Sequence, residues 1–172
     1  AHINVLHRRT PPPDGVSVVG PPVPESDGDA KVYPDYVRRD HMAYDVVHES
    51  DVARTDLTET DIPVDLEMQA IDEALGAEKV RVKLWHFEPG DAIGYHAQPE
   101  QEEVYYVLDG EFSLKLGRSG ETEIVEVGPG TFWRAGAMVG HGHRCIGDDE
   151  GRILAIGAPA VDEDGLDPHA ID

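Results

Sequence analysis

Residues 90–110 read GDAIGYHAQPEQEEVYYVLDG, and this stretch decides the fold. His96 and Gln98 stand two apart, so in an extended strand both side chains point to one face. Pro99 to Gln101 can make a turn, and the returning run then places Glu103, Tyr105 and Val107 on one face, with Glu102, Val104 and Tyr106 on the other. The spacing predicts a glycine-bounded hairpin. If the face of Glu103 meets the face of His96, an imidazole nitrogen, an amide oxygen and a carboxylate gather around one point. Glu102 competes for the same role, but strand parity lets only one of the two acids face inward, and Glu103 is the better choice.

Downstream, His141, His143 and Cys145 alternate on a single face of a second strand-like run. Two imidazoles and a carboxylate converging from neighbouring strands are the ingredients of a mononuclear metal site. The rival reading is a hydrogen-bonded polar core in a barrel that holds no metal.

Outward from this segment the pattern stays β-rich. From Lys79 onward, VRVKLWHF, EVYYVL, EFSLKL, TEIVEV, GTFWRA and GRILAIGA are divided by Gly, Pro and Asp, a rhythm that signals an all-β sandwich or barrel. Upstream, Met68, Ile71 and Leu75 recur at helical spacing with Pro63 near the start and Gly76 at the stop, which predicts a short helix between Ile62 and Gly76. An edge strand built on Val64, Leu66 and Met68 is the alternative. One further strand is expected around Met42 to Val47. Thr10 to Asp29 is crowded with Pro and Gly and reads as an extended arm. The division expected is an N-terminal arm at 1–60, a barrel at 61–160 and an acidic surface tail at 161–172.

Composition narrows the partners. The chain has 172 residues, enough for one domain with a real core. Against 35 Asp and Glu stand 14 Lys and Arg, a formal net charge of −21. Concentrated salt would screen that self-repulsion, so a salt-rich cytoplasm, as in halophilic microorganisms, is the preferred setting, with plain solubility as the other explanation. Such a surface repels phosphate backbones and anionic lipid, which argues against nucleic acid and membrane as partners. The sequence contains no apolar run of bilayer length and no signal-peptide core, so a cytoplasmic location is expected. Cys145 is the single cysteine, which excludes an intramolecular disulfide and a thiolate cluster.

These residues resemble the cupin family. Its first motif, G-x5-H-x-H-x3,4-E-x6-G, is met by Gly90, His96, Glu103 and Gly110, with Gln98 in place of the second histidine. Its second motif, G-x5-P-x-G-x2-H-x3-N, is met by Gly130 and His141, with Gly136, Met138 and Cys145 at the proline, glycine and asparagine positions. The resemblance covers roughly 79–158. It implies a cupin jelly-roll barrel, one divalent metal ion (Fe, Mn, Ni or Zn) held by His96, Glu103 and His141 with Gln98 assisting, and a homodimer. Two histidines and one carboxylate suit Fe(II) and leave positions open for dioxygen and substrate. The expectation is a metal-dependent oxidoreductase of dioxygenase type acting on a small organic molecule. A sugar or sugar-phosphate isomerase or epimerase, and a non-catalytic cupin binding a small ligand, are the alternatives.

Several neighbours invite a role. His143 could act as a general base or merely support the site, and Tyr105 could place a hydroxyl near the metal or simply fill the barrel. Cys145 reads as a small buried hydrophobe, and Trp85, Phe112, Phe132 and Trp133 as wall and core. Arg81 and Arg134 could bind an anionic substrate, though pairing with surface acids is the commoner use.

Overall fold

The structure, a computed structural model, describes residues 44–57, 66–161 and 165–171. All of these belong to one compact unit, residues 39–172. Two antiparallel sheets face each other. The first contains β1 (Thr55–Asp56), β2 (Glu67–Ala70), β3 (Arg81–Phe87), β10 (Gly151–Ala158), β5 (Glu102–Asp109) and β8 (Phe132–Ala135), in the order β1-β2-β3-β10-β5-β8. The second contains β4 (Ala92–His96), β9 (His141–Cys145), β6 (Phe112–Leu116) and β7 (Glu123–Val127), in the order β4-β9-β6-β7. The all-β jelly roll expected from the sequence is the fold observed.

One local expectation fails here. β4 and β5 do not pair as a hairpin: β4 bonds to β9, whereas β5 lies between β10 and β8 in the other sheet. Residues 97–101 therefore form a corner from one sheet to the other. Alternation reports which face a side chain takes, not which strand sits beside it.

The period-two pattern is expressed cleanly along β10, where Gly151, Ile153, Ala155 and Gly157 are buried and the residues between them are more exposed. Phe87, Tyr105, Val107, Phe112, Leu114, Cys145 and Ile153 meet in the core, with Trp85 and Trp133 packed against them. Burying a ring such as Phe112, which is 0% exposed, contributes roughly 2–3 kcal/mol. The close packing depends on two glycines. A Cβ on Gly151 would sit 2.5 Å from Phe112 Cζ, and Gly110, at φ 83°, would bring a Cβ within 2.6 Å of Gly151 Cα. Phe132 is not core: it is 68% exposed and stacks on Tyr106 outside the barrel, a correction to its expected place.

The expected helix and its rival strand are both present in part. Met68 lies in β2, and only Ile71–Leu75 is helical (α1), closed by Gly76 in the left-handed conformation. Pairing with β3 fixes Glu67 to Ala70 as strand and leaves the helix five residues. Pro63 and Val64 lie outside the described residues. No strand forms over 44–47, and a 3-10 turn at Glu49–Asp51 follows; Met42 is outside the described residues, as is the Pro-rich arm. Among the described residues no helix is long and apolar enough to cross a membrane.

The acidic tail does more than lie on the surface. Ala97 and Leu166 exchange backbone hydrogen bonds of 3.0 and 2.7 Å, and Pro168–Ala170 makes a 3-10 turn from which His169 bonds Ser119 at 2.6 Å. Backbone pairing needs no apolar side chains, which is why composition concealed it.

Candidate metal centre

Strand ends from both sheets supply the site. His96 closes β4, His141 opens β9 beside it, and the two pair in register with ring centroids 4.3 Å apart. Glu103 comes from β5 across the barrel, and its inward parity is confirmed by Tyr105, the next residue on that face, which is 2% exposed. Glu102 points outward to an ion pair with Arg134. One nitrogen from each histidine and one oxygen of Glu103 all lie within 4.8 Å of one another.

The backbone sets the tautomers. His96 Nδ1 donates to the Gly94 carbonyl and His141 Nδ1 to the Val139 carbonyl, both at 2.9 Å. With Nδ1 donating, Nε2 is the ring nitrogen left to accept in His96 and His141 alike. Carbonyl support of this kind orients ligating imidazoles and raises their basicity. His141 Nε2 stands 2.8 Å from Glu103 Oε2, a buried oxygen with no hydrogen-bond partner among the described residues. Tyr105 donates its hydroxyl to His141 Nε2 at 3.0 Å. Burial and the neighbouring Glu103 hold the Tyr105 phenol well above its ordinary pKa, so it stays protonated. Burial, followed by the proximity of His141, lowers the pKa of His96, so its ring is neutral and available.

A buried carboxylate oxygen without a hydrogen-bond partner beside two imidazole nitrogens, one of them accepting from Tyr105, fits a divalent cation. Donors around such an ion stand about 3 Å apart, so the three need close only modestly to grip one. Gln98 lies just past β4; its Oε1 is buried with no hydrogen-bond partner, and its backbone carbonyl accepts from Met138 N–H at 2.8 Å.

His143 is buried deeper in the barrel, 3% exposed, with both ring nitrogens lacking partners. Phe87, Tyr105 and Trp133 surround it with centroids at 5.3, 5.5 and 5.6 Å. Burial, with help from His141 and His96, pushes its pKa down to about 3. A ring that resists protonation so strongly is a weak general base at neutral pH, whereas its N–H against an aromatic neighbour is a modest attraction. Cys145 is buried among these residues as expected. Arg81 and Arg134 are engaged with Asp72 and Glu102, the pairing use of the two.

Sequence reasoning missed the Gly94 and Val139 carbonyls and Gly165. A carbonyl leaves no mark in a side-chain pattern. Gly165 lies against the His96 ring, where an added Cβ would stand 2.9 Å from Cδ2.

Comparison with known proteins agrees with this fold. Residues 83–157 match the cupin domain family, and the barrel of this chain is a cupin domain. No curated protein matches the chain. Among solved structures, a protein provisionally assigned as a sugar phosphate isomerase from Acidithiobacillus ferrooxidans is 25% identical with a TM-score of 0.50. That match covers 55% of this chain and 60% of the other, so this chain spans less than two thirds of that protein. A sugar phosphate isomerase of the cupin superfamily from Silicibacter pomeroyi is 19% identical over 67% of this chain and 76% of its own, with a TM-score of 0.56. An RmlC-like cupin from Shewanella frigidimarina is 20% identical over 70% of this chain and 97% of its own, with a TM-score of 0.54. The last two likenesses show the fold alone.

Proposed function

We propose that this cupin domain holds one divalent metal ion through His96, Glu103 and His141, and that it is a metal-dependent oxidoreductase of dioxygenase type acting on a small organic molecule. The observation that carries the reading is the donor set itself: one ring nitrogen from each histidine and a carboxylate oxygen of Glu103, all within 4.8 Å of one another, with Glu103 Oε2 lacking a hydrogen-bond partner. When bound, the metal supplies Lewis acidity and open positions for substrate and dioxygen. The chain's own part is positioning. The carbonyls of Gly94 and Val139 hold the imidazoles in place, Trp133 stacks on Tyr105 at 4.7 Å, and the aromatic wall excludes water. The Tyr105 hydroxyl, kept protonated, can donate to a substrate oxygen, and the buried, unpartnered Oε1 of Gln98 supports a role for that amide as a further oxygen donor. His143 serves as a neutral hydrogen-bonding group rather than a base.

Sugar-phosphate isomerisation is the second reading. It draws on the protonated Tyr105 as a proton donor at the site and on the 25% identity to the provisionally assigned isomerase. The homodimer that the family implies belongs to the same proposal, and light scattering of the full chain tests it. Elemental analysis of freshly purified protein decides the metal: one redox-active ion per chain with oxygen uptake on phenols, diketones or thiols supports oxygenation. Zinc with turnover of a sugar phosphate supports isomerisation. No uptake of Fe, Mn, Ni or Zn after reconstitution overturns both.

A further inference from the structure

A second polar cavity lies on the face of β3 opposite Phe87, away from the barrel centre. It has a volume of about 300 Å³ and is walled by Asp56, Glu67, Glu88, Asp91, Glu150 and His86, with Leu66 as its apolar side. We propose that this cavity is a binding site for a small organic cation, a primary ammonium carried on a short carbon chain.

His86 carries the argument. It is 3% exposed, yet its Nδ1 has no hydrogen-bond partner. The other ring nitrogen fixes which atom is bare. Gln69 Nε2 donates to the carbonyls of Glu49 and Val52 at 2.9 and 2.6 Å, so Gln69 Oε1 must be the acceptor facing His86 Nε2 at 2.9 Å. His86 Nε2 therefore bears the proton, and Nδ1 is an acceptor lining the cavity. It stands 3.4 Å from Glu150 Oε1, acceptor against acceptor. Burial and the neighbouring Arg54 keep the His86 pKa low, so the ring does not supply the missing proton itself.

Charge points the same way. Arg54 spans Glu150 and Glu67 at 2.9 and 3.1 Å. Among the described residues Glu88 and Asp91 have no cationic partner, and Asp91 instead accepts the Glu88 N–H at 2.8 Å. The cavity thus offers unneutralised carboxylates and one bare imidazole nitrogen, and an ammonium ion satisfies both with charge and N–H donors in a single group. Leu66 can then pack against its carbon chain. A bare metal ion fits less well. The cavity is larger than an ion needs, and among the described residues the one trio of His, Cys, Asp and Glu within ligating reach is His96, Glu103 and His141.

The test is calorimetry on the full chain at fixed ionic strength with 1,4-diaminobutane as probe, beside magnesium and sodium chloride. NMR follows the His86 ring nitrogens. Saturable one-to-one binding is expected, with a His86 Nδ1 shift toward hydrogen-bonded values and a loss of affinity of about tenfold in His86→Phe. Glu88→Gln, a change at an exposed site, should weaken binding several-fold and guards against a folding defect in the first variant. Absence of saturation at millimolar diamine, equal displacement by magnesium, or undiminished binding by both variants overturns the proposal. Metal content at His96 and His141 is unaffected by any of these outcomes.

Discussion

Met138 shows what a single residue reveals when sequence and backbone are set together. It stands where the cupin pattern has glycine, and its φ is 63°, in the left-handed region that disfavours a side chain. The turn keeps the conformation that glycine would adopt freely. Met138→Gly should therefore stabilise the protein by about 1 kcal/mol, the relief of strain exceeding the added chain entropy, and chemical denaturation measures it. His143 makes the second prediction at this scale. Its pKa is about 3 in the folded protein and about 6.5 when unfolded, so below the latter value the unfolded chain binds the extra proton. The stability it contributes is complete above about pH 6.5 and is lost steadily as pH falls toward 3, amounting to several kcal/mol. His143→Phe should flatten the acid limb of a stability profile measured on metal-free protein, and an unchanged limb would refute this account. The trio His96, Glu103 and His141 was legible in the sequence because strand parity picks Glu103 over Glu102 and the resemblance to the cupin motifs picks His141. Phe132 was not legible, since an aromatic in a strand looks the same whether its face is covered or open.

Among the elements, the corner and the tail depart furthest from what sequence could reveal. Both are defined by which backbone meets which, as in the bridge from Ala97 to Leu166, and side-chain periodicity is silent on that. The strands themselves were recoverable, for β10 and β5 write their burial into alternate residues. The return of the tail places Gly165 against His96. Gly165→Val should press the imidazole out of line and weaken metal binding by roughly tenfold, the size of effect seen when support around a ligand is lost, while leaving the β-sheet circular dichroism intact. Metal affinity equal to that of the unaltered chain would show that the contact is incidental.

For the molecule as a whole, the net charge of −21 sets the dependence on salt. Raising potassium chloride from dilute to molar concentration should raise the thermal midpoint, because the Debye length shrinks to about 3 Å and the self-repulsion of the folded chain fades. Thermal scans across a salt series check this, and a midpoint that falls with salt would mean that specific ion pairs such as Arg152 with Asp109 outweigh the repulsion.

His96 and His141 belong to the second sheet and Glu103 to the first. An ion gripped by all three would act as a rivet through the sandwich, so any parting of its two leaves loosens the grip, and loading it clamps them together. Hydrogen exchange should accordingly slow at once along β4, β5 and β9 when the ion binds, making the candidate metal site also the fastener of the two sheets.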